Sequence, residues 1–133
     1  MRVVVTGGAG FIGRVVVRML RERGDHVLVI DSMLSQVHGD IGLHATSDTV
    51  RAVSGADEGW MASVRQAAAL RDPNVWAVDA VIHLAAEVGV GQSQYEPARY
   101  VQANALETAL LWECNEAYRK SIKSVVAASS MSL

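Results

Sequence analysis

The chain has 133 residues, half of them apolar and a fifth charged, with a formal net charge of -2 at pH 7. This is one domain's worth of chain around a single core, and without a basic cluster it offers no nucleic-acid surface held by counterion release. No apolar run approaches the roughly 20 residues of a membrane span, and Cys114 is the one cysteine, so no internal disulfide can form.

Met1-Arg2 leads straight into Val3-Val4-Val5, a β-branched run that predicts a buried strand rather than a signal peptide. A cytoplasmic location is therefore expected. Glycines follow the strand, and over 11–23 the residues Ile12, Val15, Val16, Met19 and Leu20 recur at helical spacing with arginines opposite. Gly24 supplies a left-handed stop, and residues 26–30 predict a second buried strand ending at Asp31. Residues 32–48 are polar and read as irregular. A third strand is expected over 49–53, then a helix over 60–70 that ends before Pro73. A fourth strand over 80–85, a long helix over 97–119 and a fifth strand over 124–128 complete the pattern. Alternating strands and helices imply an α/β fold, a parallel sheet covered on both faces, with ligands bound beyond the carboxyl ends of the strands.

The stretch "VVVTGGAGFIG" (3–13) carries the most chemistry. A diphosphate needs backbone N–H donors at the start of a helix, where the amides are unpaired and the macrodipole is positive. Two glycine patterns overlap there, Gly8-x-Gly10-x-x-Gly13 and Gly7-x-x-Gly10-x-x-Gly13. Because the turn residue directly follows the strand, the Gly7 pattern is favoured. Asp31 lies 18 residues beyond Gly13, placed to accept from the adenosine ribose hydroxyls and to repel a 2′-phosphate. NAD is thus expected over NADP, with Ser32 beside Asp31 at the same strand end. A tight strand-to-helix turn with a merely solvated Asp31 is the bland alternative. Cys114 reads as a small buried apolar residue, and the four histidines have no metal-ligand spacing, so no metal is expected.

"TGGAGFIG" with Asp31, "DAVIHLAAEVGVGQS" (79–93), "YVQANALET" (100–108) and "VVAASSMS" (125–132) resemble the extended short-chain dehydrogenases. Within them the likeness is to the NAD-dependent epimerase/dehydratase family acting on nucleotide sugars. The resemblance implies a Rossmann-type doubly wound parallel sheet of about five strands, truncated before a C-terminal part. It makes 1–133 the N-terminal dinucleotide-binding portion, without a substrate domain. It places Gly7, Gly10, Gly13 and the amides of Phe11 and Ile12 at the diphosphate. Asp57 would lie at the adenine, unless it is an ordinary turn aspartate. Leu84, Ala85 and Ala86 would pass the nicotinamide-side ribose, unless the alanines serve packing alone. Ser93 would lie near the sugar or cap a helix, and Asn104 would tie the long helix to neighbouring backbone, with Glu107 where the family has glycine. His83 reads as a satisfied near-core histidine. Ser130 matches the serine that bonds the sugar hydroxyl undergoing oxidation, the alternative being a serine cluster that ends a strand.

The family's Tyr-x-x-x-Lys pair is missing: four residues beyond Tyr95, Tyr100 and Tyr118 stand Arg99, Asn104 and Ile122. The expectation is therefore the NAD-binding portion of an enzyme whose parent acts on a UDP- or dTDP-sugar, with a homodimer open to that parent and the isolated chain inactive. A non-catalytic NAD-binding regulatory module is the competing reading. No nucleic-acid or membrane partner is expected.

Overall fold

The computed structural model describes residues 1–129. Five parallel strands form one sheet in the order β3-β2-β1-β4-β5: β1 Arg2–Thr6, β2 His26–Asp31, β3 Glu58–Met61, β4 Ala80–His83 and β5 Ser124–Ala127. Val3 pairs with Val27 on one side and Ala80 on the other, so β1 is the central strand between β2 and β4. Alternate side chains of β1 go to opposite faces, as the pleat requires. Val3 and Val5 join Val27, Val29, Val17, Leu20 and Val50 on one face. Val4 joins Leu28, Ile30, Val81, Trp76, Leu111 and Cys114 on the other.

The first face is covered by α1 (Phe11–Glu22), whose buried residues are Gly13, Val17 and Leu20. After β2 come two single-turn helices, α2 (Ser35–His38) and α3 (Asp40–Leu43), then α4 (Ser47–Ser54). The opposite face is covered by α5 (Val64–Leu70), α6 (Pro73–Trp76) and the long helical run after β4. That run begins with α7 (Val90–Ser93) and α8 (Pro97–Val101), passes through a π-helical turn at Gln102–Leu106 and ends as α9 (Glu107–Ala117).

The parallel, doubly covered sheet of five strands agrees with the sequence. The middle of the chain does not. The strand expected over 49–53 is helix α4, because Thr46 and Thr49 cap each other reciprocally and Val50 packs, fully buried, beneath α1. The third strand is instead Glu58–Met61, and the helix expected from 60 starts at Val64 behind a second capping box, Ser63 with Gln66. Strand β4 stops at His83 rather than 85, and the segment 32–48 holds two single-turn helices and the start of α4 rather than irregular chain.

Candidate dinucleotide-binding site

The glycine loop leaves β1 as a left-handed turn. Gly7 has φ +70° and donates its N–H to Ile30 O at 2.8 Å, and Gly10 N donates back to Gly7 O at 3.2 Å. A Cβ on Gly7 would stand 2.8 Å from Ala85 N, and one on Gly13 would stand 2.6 Å from Gly8 Cα. Position 7 thus needs glycine for its φ and for the close approach of β4's exit, and position 13 needs it to seat α1 on the loop. A Cβ on Gly8 would meet Val29 Cγ2 at 2.5 Å, so a fourth glycine is needed for packing against β2.

Helix α1 opens at Gly10 with no side-chain cap and no acidic residue in its first turn. Its first amides have no intrahelical acceptor, and the side chains of Phe11 and Ile12 are largely exposed beside them. An anion can approach these donors from outside. The cradle fits a dinucleotide diphosphate on the observation that this first turn has neither a capping side chain nor an acidic one beside its free donors.

Asp31 ends β2 next to this loop. Its Oδ2 accepts from Ala9 N at 3.0 Å and its Oδ1 from Met33 N at 2.8 Å, so the carboxylate locks the loop to the strand end. Met33 takes φ +51° to make that contact and is buried in the core. His38 Nε2 faces Asp31 Oδ1 at 3.7 Å. Ser32, half-buried, lies between Asp31 and Met33.

On the other side of β1, Leu84 N donates to Thr6 O at 3.1 Å and Ala85 N to Thr6 Oγ1 at 3.2 Å. Leu84, Ala85 and Ala86 therefore run beside the glycine loop. A polar chain, buried at Thr6 and His83 and reaching the surface at Asn104, supports them. Thr6 Oγ1 lies 2.7 Å from His83 Nδ1, His83 Nε2 lies 3.0 Å from Thr108 Oγ1, and Thr108 donates to Asn104 O at 2.8 Å. With its own hydrogen given to Asn104, Thr108 must accept from His83, so the imidazole carries its proton on Nε2 and accepts from Thr6. Burial pushes the His83 pKa below its ordinary value, which favours this neutral form. Asn104 uses both ends of its amide on one residue: Oδ1 accepts from Glu87 N at 2.8 Å and Nδ2 donates to Glu87 O at 2.9 Å. The residues after β4 are thus held by the helix that follows them. Glu107 accepts from Arg65 N at 3.3 Å, at the start of α5.

Gly7, Gly10, Phe11, Ile12, Gly13, Asp31, Ser32 and 84–86 come together at one edge. Ser93 closes α7 on the β4 side of that edge, its N–H donating to Gly89 O at 3.0 Å. Ser130 lies outside the described residues. Asp57 is a correction. It precedes β3 instead of following it, accepts from Val27 N at 2.9 Å and pairs with Arg21 at 3.0 Å, at the amino end of the sheet. There it closes a turn and cannot reach an adenine bound beyond the carboxyl edge. The adenine role rested on a third strand drawn too early. His38, Thr6, Thr108 and Arg99 also stand at this edge, with no role that the sequence motifs assign. The one available signal was a histidine inside the apolar run of β4.

Cys114 is buried, and that burial pushes its thiol up to about 11, so it stays protonated and inert. Among the described residues no three histidine, cysteine, aspartate or glutamate side chains are placed to hold a metal, and no helix is long and apolar enough to cross a membrane.

A family profile described as the NAD dependent epimerase/dehydratase family matches residues 3–133. The chain belongs to that family. A dTDP-L-rhamnose 4-epimerase of Burkholderia thailandensis is 29% identical over 133 residues, covering 97% of this chain and 34% of the relative. The dTDP-glucose 4,6-dehydratase 1 of Escherichia coli is 35% identical over 126 residues, covering 93% of this chain and 33% of the relative. In structure, a UDP-glucose-4-epimerase from Stenotrophomonas maltophila, crystallised with NAD and formylated UDP-arabinopyranose, superposes with a TM-score of 0.75 at 29% identity, over 98% of this chain and 37% of that one. The chain thus spans about a third of the length of these proteins. The match confirms the Rossmann-type sheet and the resemblance drawn from the motifs.

Proposed function

We propose that this chain is the dinucleotide-binding portion of a nucleotide-sugar epimerase or dehydratase, binding NAD at the carboxyl edge of its sheet. The observation that carries this is the uncapped first turn of α1 behind Gly7 and Gly13, with the Asp31 carboxylate tied to the same loop. The amides of Phe11, Ile12 and Gly13 hold the diphosphate, Asp31 the adenosine ribose, and Leu84 to Ala86 border the nicotinamide-side ribose. When bound, NAD supplies a hydride acceptor for a sugar carbon and returns the hydride. The chain's own residues orient that acceptor: the Thr6–His83–Thr108 relay and the Asn104 clamp fix 84–87 beside the glycine loop. Ser130 is proposed to bond the sugar hydroxyl, and Ser93 to stand near the sugar. The substrate class is a UDP- or dTDP-sugar, in keeping with the relatives' names, and the location is cytoplasmic, in keeping with the lone buried cysteine.

The sequence supplies no tyrosine followed four residues later by lysine, so the 133-residue chain by itself binds cofactor without turning over a nucleotide sugar. Calorimetric titration with NAD and with NADP tests the reading. NAD is expected to bind the more tightly, because a 2′-phosphate would meet the Asp31 carboxylate. Tighter NADP binding would overturn the role of Asp31, and binding of neither would overturn the cofactor reading.

A further inference from the structure

The carboxylate assigned to the ribose is shut in. Asp31 is 8% exposed, with Ala9 and Met33 amides on two sides and His38 over it. His38 belongs to the segment 34–38, in which the amides of Val37 and His38 both donate to Leu34 O at 2.9 Å. The segment 34–38 thus borders the approach to Asp31.

The same segment is fastened on its far side. Gln36 Oε1 accepts from Arg99 Nη2 at 3.4 Å. Arg99 is itself anchored on the β4 side, its Nε 2.6 Å from Glu87 Oε2 and its Nη1 3.0 Å from Glu96 Oε2. Glu87 is the residue whose backbone Asn104 clamps in both directions. Gly89 lies close by, since a Cβ there would meet Gln36 Nε2 at 3.9 Å. Leu34, Ser35, Gln36, Gln92 and Arg99 line an open cleft of about 450 Å³ between the two segments. Because β1 stands between β2 and β4, a contact between their trailing segments crosses in front of the glycine loop.

We propose that residues 34–38 form a strap over the dinucleotide cleft, fastened by Gln36 to Arg99, and that its release governs entry and exit of the cofactor. The proposal rests on the reading of Asp31 as the ribose acceptor. Arg99 is a positioning residue in this scheme: it holds the strap through Gln36 and takes its own rigidity from Glu87. The fastening is one hydrogen bond to an exposed guanidinium, strong enough to bias the strap and weak enough to break on each binding event.

Hydrogen exchange on the cofactor-free 133-residue chain tests the strap independently of NAD. In both Arg99→Ala and Gln36→Ala, exchange at the amides of Val37, His38 and Gly39 should rise by about two- to fivefold, while that of β1 and β2 stays unchanged. Unchanged exchange at those three amides in both variants overturns the strap. If Arg99→Ala raises exchange throughout the chain, Gln36→Ala decides, because Gln36 is exposed and outside both cores. With NAD, stopped-flow association and dissociation should both quicken by a similar factor in either variant, leaving Kd little changed. A weaker Kd with unaltered dissociation would show instead that Arg99 meets the incoming cofactor, and would overturn its role as fastener. Failure of the wild-type chain to bind NAD would sink the cofactor reading and leave the exchange result to stand on its own.

Discussion

The two ends of the sheet are built from opposite materials. At the amino end the chain is closed by charge pairs and turns. The terminal ammonium meets Asp25 at 2.9 Å, Arg23 meets Asp25 at 2.5 Å, Arg21 meets Asp57 at 3.0 Å, and Arg2 reaches Asn74 O. Trp76 is wholly buried on that side and donates its indole N–H to Ala67 O at 2.9 Å. At the carboxyl end there are glycines, an uncapped helix start and two exposed apolar side chains, Phe11 and Ile12. One end is tied together by its own charge pairs and serves stability; the other leaves donors for a ligand.

Trp76→Ala should break this contrast most strongly from the stability side. Removing a buried indole and its hydrogen bond should cost about 3–5 kcal/mol in chemical denaturation, while NAD affinity of the protein that remains folded stays near wild type. A fall in affinity as large as the fall in stability would show that the two ends are not separable. Next comes Gly7→Ala. A Cβ at φ +70° pressed against Ala85 N strains the loop by about 1–3 kcal/mol, so NAD binding measured by calorimetry should weaken on the order of tenfold.

A pH titration sharpens the comparison further. The folded pKa of His83 is depressed by burial below the ordinary 6.5. The unfolded chain therefore takes up a proton that the folded one refuses, and stability present above about pH 6.5 is lost as pH falls toward the folded value. Denaturation curves at about pH 7.5 and 5.5 should show this loss, and His83→Gln should flatten it. An equal loss in the variant would assign the effect to other groups. The smallest effect belongs to Asp57→Asn. Weakening its pairing with half-exposed Arg21 should cost about 1 kcal/mol or less, with NAD affinity unchanged. A marked loss of NAD affinity would restore the adenine role that the structure removes.

The carboxyl end was legible in the sequence because its determinants are local. Gly7, Gly10 and Gly13 carry their spacing with them, and Asp31 ends an unbroken apolar strand. The stretch 46–63 was misread because Thr49, Val50 and Val53 are β-branched, and propensity alone favours a strand there. The Thr46–Thr49 cap and the burial of Val50 under α1 outweigh that preference. The short β3, Glu58-Gly59-Trp60-Met61, shows no alternation of its own and exists through its pairing with β2. Misplacing it by several residues is what sent Asp57 to the wrong end of the sheet. The polar chain under 84–86 was invisible for another reason: Thr6 and His83 meet across 77 residues of sequence.

The π-helical turn at Gln102–Leu106 sets a phase for everything on either side of it. An α-helix turns about 100° per residue, so one additional residue wound into a turn rotates the following face relative to the preceding one. Asn104 sits within that turn and reaches Glu87, while Thr108 lies just beyond it and reaches His83. Wound as α-helix throughout, the same residues would put the face beyond the turn about 100° out of phase with the face before it, and Asn104 and Thr108 could not both keep their partners. The helix works as a dial as much as a rod, and its length in residues, rather than its composition, aligns the floor of the cofactor cleft with its wall.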